Sequence, residues 1–317
     1  MESDAKCRLI LDSCCDLPRH ILDDEGVEFF CFPFNMNDGE HQDDLWQTMK
    51  PKEFYDRLRA GEVSSTAQIP IPVLEERFEA AAQEGTPTVY LAFTAGLSGT
   101  YDTAKTVARQ VRERHPGFEL YTVDTTLACV AEGFLVYEAI RQWRRGLTAK
   151  QLAAWAEEAR WHVAAQFTVD DLEFLRRGGR IPGAAAALGT KLDVKPLLGF
   201  NLDGSLAMTG IARGRKKSLK ALVKYYAENK LADAGPDETV VVASADADKD
   251  AAWVEEHLER PRDCIPALRC DVGPVIGSHT GPGMVAVVFW GPDRRGRGSF
   301  ADRLADDVTA SGEGARA

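Results

Sequence analysis

Through about residue 160, short apolar runs alternate with amphipathic stretches. CRLILD (7–12) reads as a buried strand and is followed by a helix near Leu17–Asp24. VEFFCFPF (27–34) reads as a second strand. PKEFYDRLRAG (51–61) begins with proline and ends with glycine, the expected punctuation of a helix. PVLEERFEAAAQEG (72–85) is a helix of the same kind. TVYLAF (88–93) is apolar without alternation, as in a strand covered on both faces. A helix is predicted from Ser98 to about His115, a strand at FELYTVD (118–124), and a long helical region to about Arg160. Strands alternating with helices imply parallel βαβ units.

The second half has a different rhythm. HVAAQFTV (162–169) reads as a strand, and DDLEFLRRGG (170–179) as a short helix ending in glycine. PLLGFNLDGSLAMTGIA (196–212) places two strand-like runs around Asp203–Gly204, a hairpin signal. Lys216–Lys230 and Ala251–Arg260 read as helices, and 239–245, 266–273 and 284–290 as strands. A hairpin among α/β units implies a mixed sheet. The expected architecture is α/β: a three-layer α/β/α domain with a parallel sheet over 1–161, a smaller mixed-sheet domain over 162–292, and a disordered tail over 293–317.

Charge narrows the function. The 317 residues carry a net charge of −11, from 38 basic and 49 acidic side chains, which argues against nucleic-acid binding through phosphates. The seven cysteines are an odd number without a C-x-x-C pair, so neither a disulfide framework nor a zinc site is expected. The N-terminus MESDAKCRL is too polar for a signal peptide, and no apolar run approaches the roughly 18 residues of a membrane span. A cytoplasmic protein with reduced thiols is expected.

The most informative segment is 88–110, where a buried strand runs through Thr94-Ala95-Gly96-Leu97-Ser98-Gly99-Thr100 into a helix. Free N–H groups at a helix start form an anion site, and Ser98 and Thr100 add hydroxyls. The plainer reading makes Ser98 an N-cap. Ser64-Ser65-Thr66-Ala67-Gln68-Ile69-Pro70 reads as a capping stretch before the next helix. Gly273–Gly283 reads as a glycine-rich loop that holds His279 and Thr280 accessible beside a strand. Arg176, Arg177 and Arg180 surround a glycine turn, suited to pairing an anion or to ending a helix. The small residues of Gly183–Gly189 leave room for a slender apolar ligand or for close helix packing. Arg213, Arg215, Lys216 and Lys217, with Lys220, form a basic island on an acidic chain, either a solvated face or a docking surface.

Taken in order, these segments resemble the DegV family. Asp12-Ser13 with Asp16-Leu17-Pro18 resembles its opening D-S-x-x-D-L-P, and Thr66-Ala67-Gln68 its T-S-Q-P. Gly96–Tyr101 resembles its G-L-S-G-T-Y, and Asp171–Ile181 its D-L-E-Y-L-K-K-G-G-R-I. Lys195-Pro196, Arg215-Lys216-Lys217 and Gly281 after His279 also fit. The chain departs from the family at Ala67, Ile69, Thr94-Ala95 and Gly214. The resemblance implies a long-chain fatty acid (roughly C14–C18) between two domains, and no other cofactor. It further implies that Thr66 and Ser98 bind the carboxylate, with Gly99, Thr100 and Thr280 alongside and Arg180 and His279 at the same end. Some family members are non-catalytic subunits that present the acid to a separate ATP-dependent fatty acid kinase subunit. By resemblance, Arg213, Arg215, Lys216 and Lys217 form the docking face for that subunit, and membrane contact is at most transient.

Two other readings compete. Gly96-x-Ser98 on a strand–turn–helix, with His279 downstream, is compatible with a serine hydrolase, although Thr100 replaces the second elbow glycine. A sensor of a non-lipid small ligand on the same fold is the other.

Overall fold

The N-terminal apolar run forms β1 (Arg8–Asp12), followed after Pro18 by α1 (Arg19–Glu25). The structure is a computed structural model and describes residues 5–170, 172–181, 194–261 and 263–297. The segment expected as one strand at 27–34 divides in two. β2 (Glu28–Phe30) pairs with β1, whereas β3 (Pro33–Met36) joins a small antiparallel sheet with β4 (Gly39–Gln42). The break falls at Phe32. Its N–H donates to Ser13 Oγ (3.0 Å), and its carbonyl accepts from the Asp43 N–H (2.8 Å), so its backbone is taken from any ladder.

After α2 (Pro51–Arg59), the stretch 64–70 is not the expected cap. Ser65 and Thr66 form β5, paired with Asn35 and Phe34. The next helix, α3 (Ile71–Glu84), instead starts on prolines, with no side-chain cap. β6 (Thr88–Ala92) leads into α4 (Thr100–Arg114), and β7 (Leu120–Asp124) completes an all-parallel sheet of order β2-β1-β6-β7. The long helical region is two helices, α5 (Val130–Arg144) and α6 (Ala149–Ala159). Thr148 and Gln151 form a capping box at the start of the second.

The second half contributes β8 (Val163–Thr168), α7 (Glu173–Arg177), β9 (Val194–Phe200) and β10 (Leu206–Arg213). After them come α8 (Arg215–Asn229), β11 (Val240–Ser244), α9 (Asp248–His257), β12 (Leu268–Asp271), α10 (Pro274–Thr280) and β13 (Val285–Trp290). The β9–β10 hairpin turns at Asp203–Gly204 as expected. The mixed sheet runs β10-β9-β8-β13-β11-β12, with only β11–β12 parallel. Two expectations change here. The glycine-rich segment carrying His279 is a helix, started by Pro274 at its first position. Inside the segment expected as a tail from 293, Arg294–Arg297 form a 3-10 turn and Arg295 pairs with Glu158 and Asp293. Residues 298–317, Asp171 and the Gly183–Gly189 stretch lie outside the described residues.

α5 explains how the halves meet. It is buried nearly all round, from Val130 to Trp143, as a helix packed between layers must be. It touches β1 on one side and β8 and β13 on the other. One continuous apolar cluster therefore runs from Leu9 and Phe30 to Ala286 and Val288. Polar contacts fasten the seam: Tyr55 Oη donates to the Val272 carbonyl (2.6 Å), Thr94 Oγ1 to that of Gly204 (3.2 Å), and Ser64 pairs with Ser278 (2.6 Å). Among the described residues, no helix is long and apolar enough to cross a membrane.

Candidate functional site

Along this seam lies a cavity of about 340 Å³, within the usual range of about 300–1,000 Å³ for small-molecule sites. Its walls come from both halves. Phe93, Ala128, Val130 and Ala131 stand on one side, and Ala165, Phe167, Phe200, Ala286 and Val288 on the face of the mixed sheet. The bore exists because alanines, not larger side chains, occupy positions 128, 131, 165 and 286.

Polar groups gather at one end. β5 sets Thr66 against α10, so that Thr66 Oγ1 and His279 Nε2 are 2.8 Å apart. Ser98 and Gly99 line the same end, immediately before the first turn of the 15-residue α4. The N–H groups of that turn and the helix dipole favour an anion there. Ser98 Oγ bonds Thr100 Oγ1 (3.1 Å) and accepts from the Thr100 N–H (3.2 Å). Thr100 is itself buried and does not line the cavity; it orients Ser98. Thr280 lines the cavity, but its hydroxyl is turned to the Ile276 carbonyl (3.2 Å). Arg180, exposed at the mouth, is braced by Nε on the Leu97 carbonyl (3.2 Å) and by Nη1 on that of Gly178 (2.5 Å).

His279 is half-buried, not accessible as expected. Burial, with Arg180 adding, holds its imidazole down to about 4, so it is neutral at physiological pH. Its Nδ1 has no hydrogen-bond partner and lies against Gly178, where any Cβ would collide with the ring. The glycine turn after α7 thus presses the imidazole toward the cavity.

Sequence reasoning missed two features. Gln68 lines the polar end beside Gly99, and its Oε1 accepts from Thr103 Oγ1 (3.3 Å). Behind the wall made by Phe93 and Cys129 sits a buried group of acids: Asp12, Asp16, Asp43 and Glu132. Asp12 accepts from Tyr90 Oη (2.9 Å) and from the N–H groups of Phe93 (2.8 Å) and Cys14 (3.2 Å). Burial raises it to about 6 against those bonds. Glu132 faces Asp12 without a donor of its own, and burial followed by the charge of Asp12 pushes it well above the carboxylate range. Asp16 is raised by burial to about 8. Cys129 and the Gly273 amide lie beside it, but neither meets hydrogen-bond geometry. The sequence signals of this cluster were the glutamate inside the apolar run of α5 and the Asp12 and Asp16 of the opening motif, whose convergence the motif does not reveal.

The hydrolase geometry is not assembled. Ser98 bonds Thr100 and His279 bonds Thr66, so serine and imidazole are not paired as nucleophile and base. The positive φ of an elbow falls at Cys129 (+56°), not at Ser98, and burial pushes the Cys129 thiol up, away from the reactive thiolate. All seven cysteines are free. Among the described residues, Glu158, His162 and Asp293 form the one cluster with metal-ligand spacing, and Arg295 already pairs with both carboxylates.

The predicted basic island starts α8 after Gly214, whose φ of +83° disfavours a side chain. Arg213, Lys216, Lys217 and Lys220 are exposed there. Arg215 is drawn inward, with Nε on Asp250 (2.7 Å) and Nη1 3.5 Å from Asp170.

Known proteins share this sequence pattern and fold. The family model described as "Uncharacterised protein, DegV family" matches residues 6–291. A DegV domain-containing protein of Clostridium perfringens is 36% identical over 283 residues, covering 89% of this chain and 97% of its own length. Among solved structures, a Thermus thermophilus DegV family protein described by its fatty acid binding superposes with a TM-score of 0.76. It is 29% identical and covers 90% of this chain and 99% of its own. A fatty acid binding DegV family protein of Streptococcus agalactiae reaches a TM-score of 0.78 at 25% identity, with 90% and 99% coverage. With the family model matching residues 6–291 and a relative 36% identical over 89% of this chain, the chain belongs to the DegV family.

Proposed function

We propose that this protein is a non-catalytic carrier of a long-chain fatty acid and presents the acid to a separate, ATP-dependent kinase subunit in the cytoplasm. The observation that carries the reading is a cavity lined mainly by apolar side chains, with Thr66, Ser98 and His279 gathered in its wall. An acyl chain gains about 0.8 kcal/mol for each methylene buried. Its carboxylate needs donors instead, because an unpaired buried charge is costly. Thr66, Ser98 and the first N–H groups of α4 supply them, while neutral His279 and Arg180 stand at the same end for presentation of the carboxylate. Segments 1–161 and 162–292 act as the two jaws. Solvent extraction of the purified protein and mass spectrometry should yield a fatty acid of roughly C14–C18. A lipid-free protein that also fails to bind added palmitate or oleate would sink the carrier reading.

Arg213, Lys216 and Lys217, with Lys220, are proposed as the docking face for an acidic patch on the kinase subunit; Arg215 supports this face through its ties to Asp250 and Asp170. Rim charges act mainly on association rate and its salt dependence. Lys216→Glu with Lys217→Glu should therefore slow kinase-dependent acyl-phosphate formation, most at low ionic strength, and leave fatty-acid affinity unchanged. Equal rates for variant and wild type across a salt series would remove the docking face.

A further inference from the structure

We propose that Trp290, backed by Phe134, is the far stop of the cavity and sets the longest acyl chain the protein accepts. The inference rests on the carrier reading and specifies its substrate range. Three elements carry it. From Met284 along β13, alternate residues face the two sides of the mixed sheet. Met284, Ala286 and Val288 line the cavity, whereas Val285, Val287 and Phe289 belong to the apolar cluster on the opposite face. The next cavity-facing position is Trp290, which packs on the main core and does not line the cavity. On the neighbouring strand β8, Ala165 and Phe167 line the cavity, and the rung beyond them is Val163, fully buried and paired with Trp290. On α5, Val130 and Ala131 line the cavity, and one turn further Phe134 meets the indole edge-on, ring centroids 4.8 Å apart. All three walls end at one level. Trp155 closes behind, 6.4 Å from Trp290.

The polar end lies at the opposite limit, since α10 ends at Thr280 just before Met284 opens the apolar wall. From Met284 to Val288 the strand rises about 13 Å. Within that bore, each added methylene should raise affinity about fourfold, until the chain end meets the indole.

The experiment uses delipidated full-length protein and a ligand-displacement titration with saturated acids from roughly C12 to C22. Wild type should gain affinity with length and then level off or fall. Trp290→Ala should carry the rise roughly two to four carbons further, because removal of the indole opens space at the stop. Val288→Phe, which fills the bore one rung earlier, should end the rise sooner. Thermal unfolding of the unliganded proteins identifies a variant that does not fold; should Trp290→Ala fail there, Val288→Phe carries the test alone. Identical length profiles in wild type and the folded variants would overturn the stop and leave the carrier reading standing. Absence of binding by wild type to every acid would overturn both.

Discussion

Replacement of Asp16 by Asn is expected to stabilise the protein progressively as pH rises from about 5 to 8. Asp16 sits in the left-handed region (φ +51°), 3% exposed, with neither carboxyl oxygen hydrogen-bonded. Asp43, Glu132 and Asp12 are its buried acidic neighbours, and Asp271 adds to the repulsion. Burial therefore raises its folded-state value to about 8, against about 3.9 in an unfolded chain. The sign follows from proton counting. Between those values the unfolded chain has lost the proton and the folded protein keeps it, so folding takes up a proton. The contribution of Asp16 is fully present below about pH 4 and is lost as pH rises through about 8, at about 1.4 kcal/mol per unit. An amide of nearly the same shape does not titrate, so Asp16→Asn lacks this slope. Denaturant titrations at pH 5, 6, 7 and 8 should show the stability difference between variant and wild type widening by about 4 kcal/mol in total, in favour of the variant. A difference that stays constant with pH would mean that Asp16 ionises normally in the folded protein.

The same cluster shows why part of this protein was legible in its sequence and part was not. β6 was readable because a strand covered on both faces reads as an unbroken apolar run, β1 by the apolar Leu9–Leu11 at its centre, and the β9–β10 hairpin because Asp203–Gly204 carries turn chemistry. The three-stranded sheet was invisible. β4 is the polar segment GEHQ, largely exposed, and β5 has two residues, so neither leaves a hydrophobic period. The helix bearing His279 was masked by its glycines. Gly277 lies where Tyr55 and Phe54 crowd the backbone, so its presence reflects tertiary packing and not a loop. Thr66 and Ser98 were marked by family resemblance, and Ser98 also by its place before a helix; that Thr66 lies against His279 depends on β5 packing against α10 across 213 residues. Of the buried acids, Asp12 and Asp16 were marked by the opening motif and Glu132 stands isolated in an apolar helix, but their meeting was not legible, since it requires β1, the Asp43 turn and α5 to converge.

The double substitution Thr66→Ala with Ser98→Ala should weaken long-chain fatty-acid binding by roughly a hundredfold to ten-thousandfold. The two hydroxyls approach the polar end from different elements, Thr66 from β5 and Ser98 from the residues before α4. A hydrogen bond to a charged group contributes about 1.5–3 kcal/mol, and each 1.4 kcal/mol is tenfold in affinity. The apolar bore is untouched, so the chain's share of the affinity should remain. A fatty alcohol of the same length separates the two contributions. It offers the site no charge, and its affinity should fall far less than that of the acid, because neutral hydrogen bonds contribute only about 0.5–1.5 kcal/mol. Thr66→Ala also leaves His279 Nε2 without its 2.8 Å partner, so Thr66→Ser, which keeps the hydroxyl, should restore most of the loss attributable to Thr66. Unfolding of the unliganded variants should stay near wild type, while the stabilisation conferred by added palmitate shrinks with the loss of affinity. Wild-type affinity for palmitate in the folded double variant would place the carboxylate elsewhere in the cavity, and an equal loss for acid and alcohol would show that the substitutions damaged the bore and not the carboxylate site.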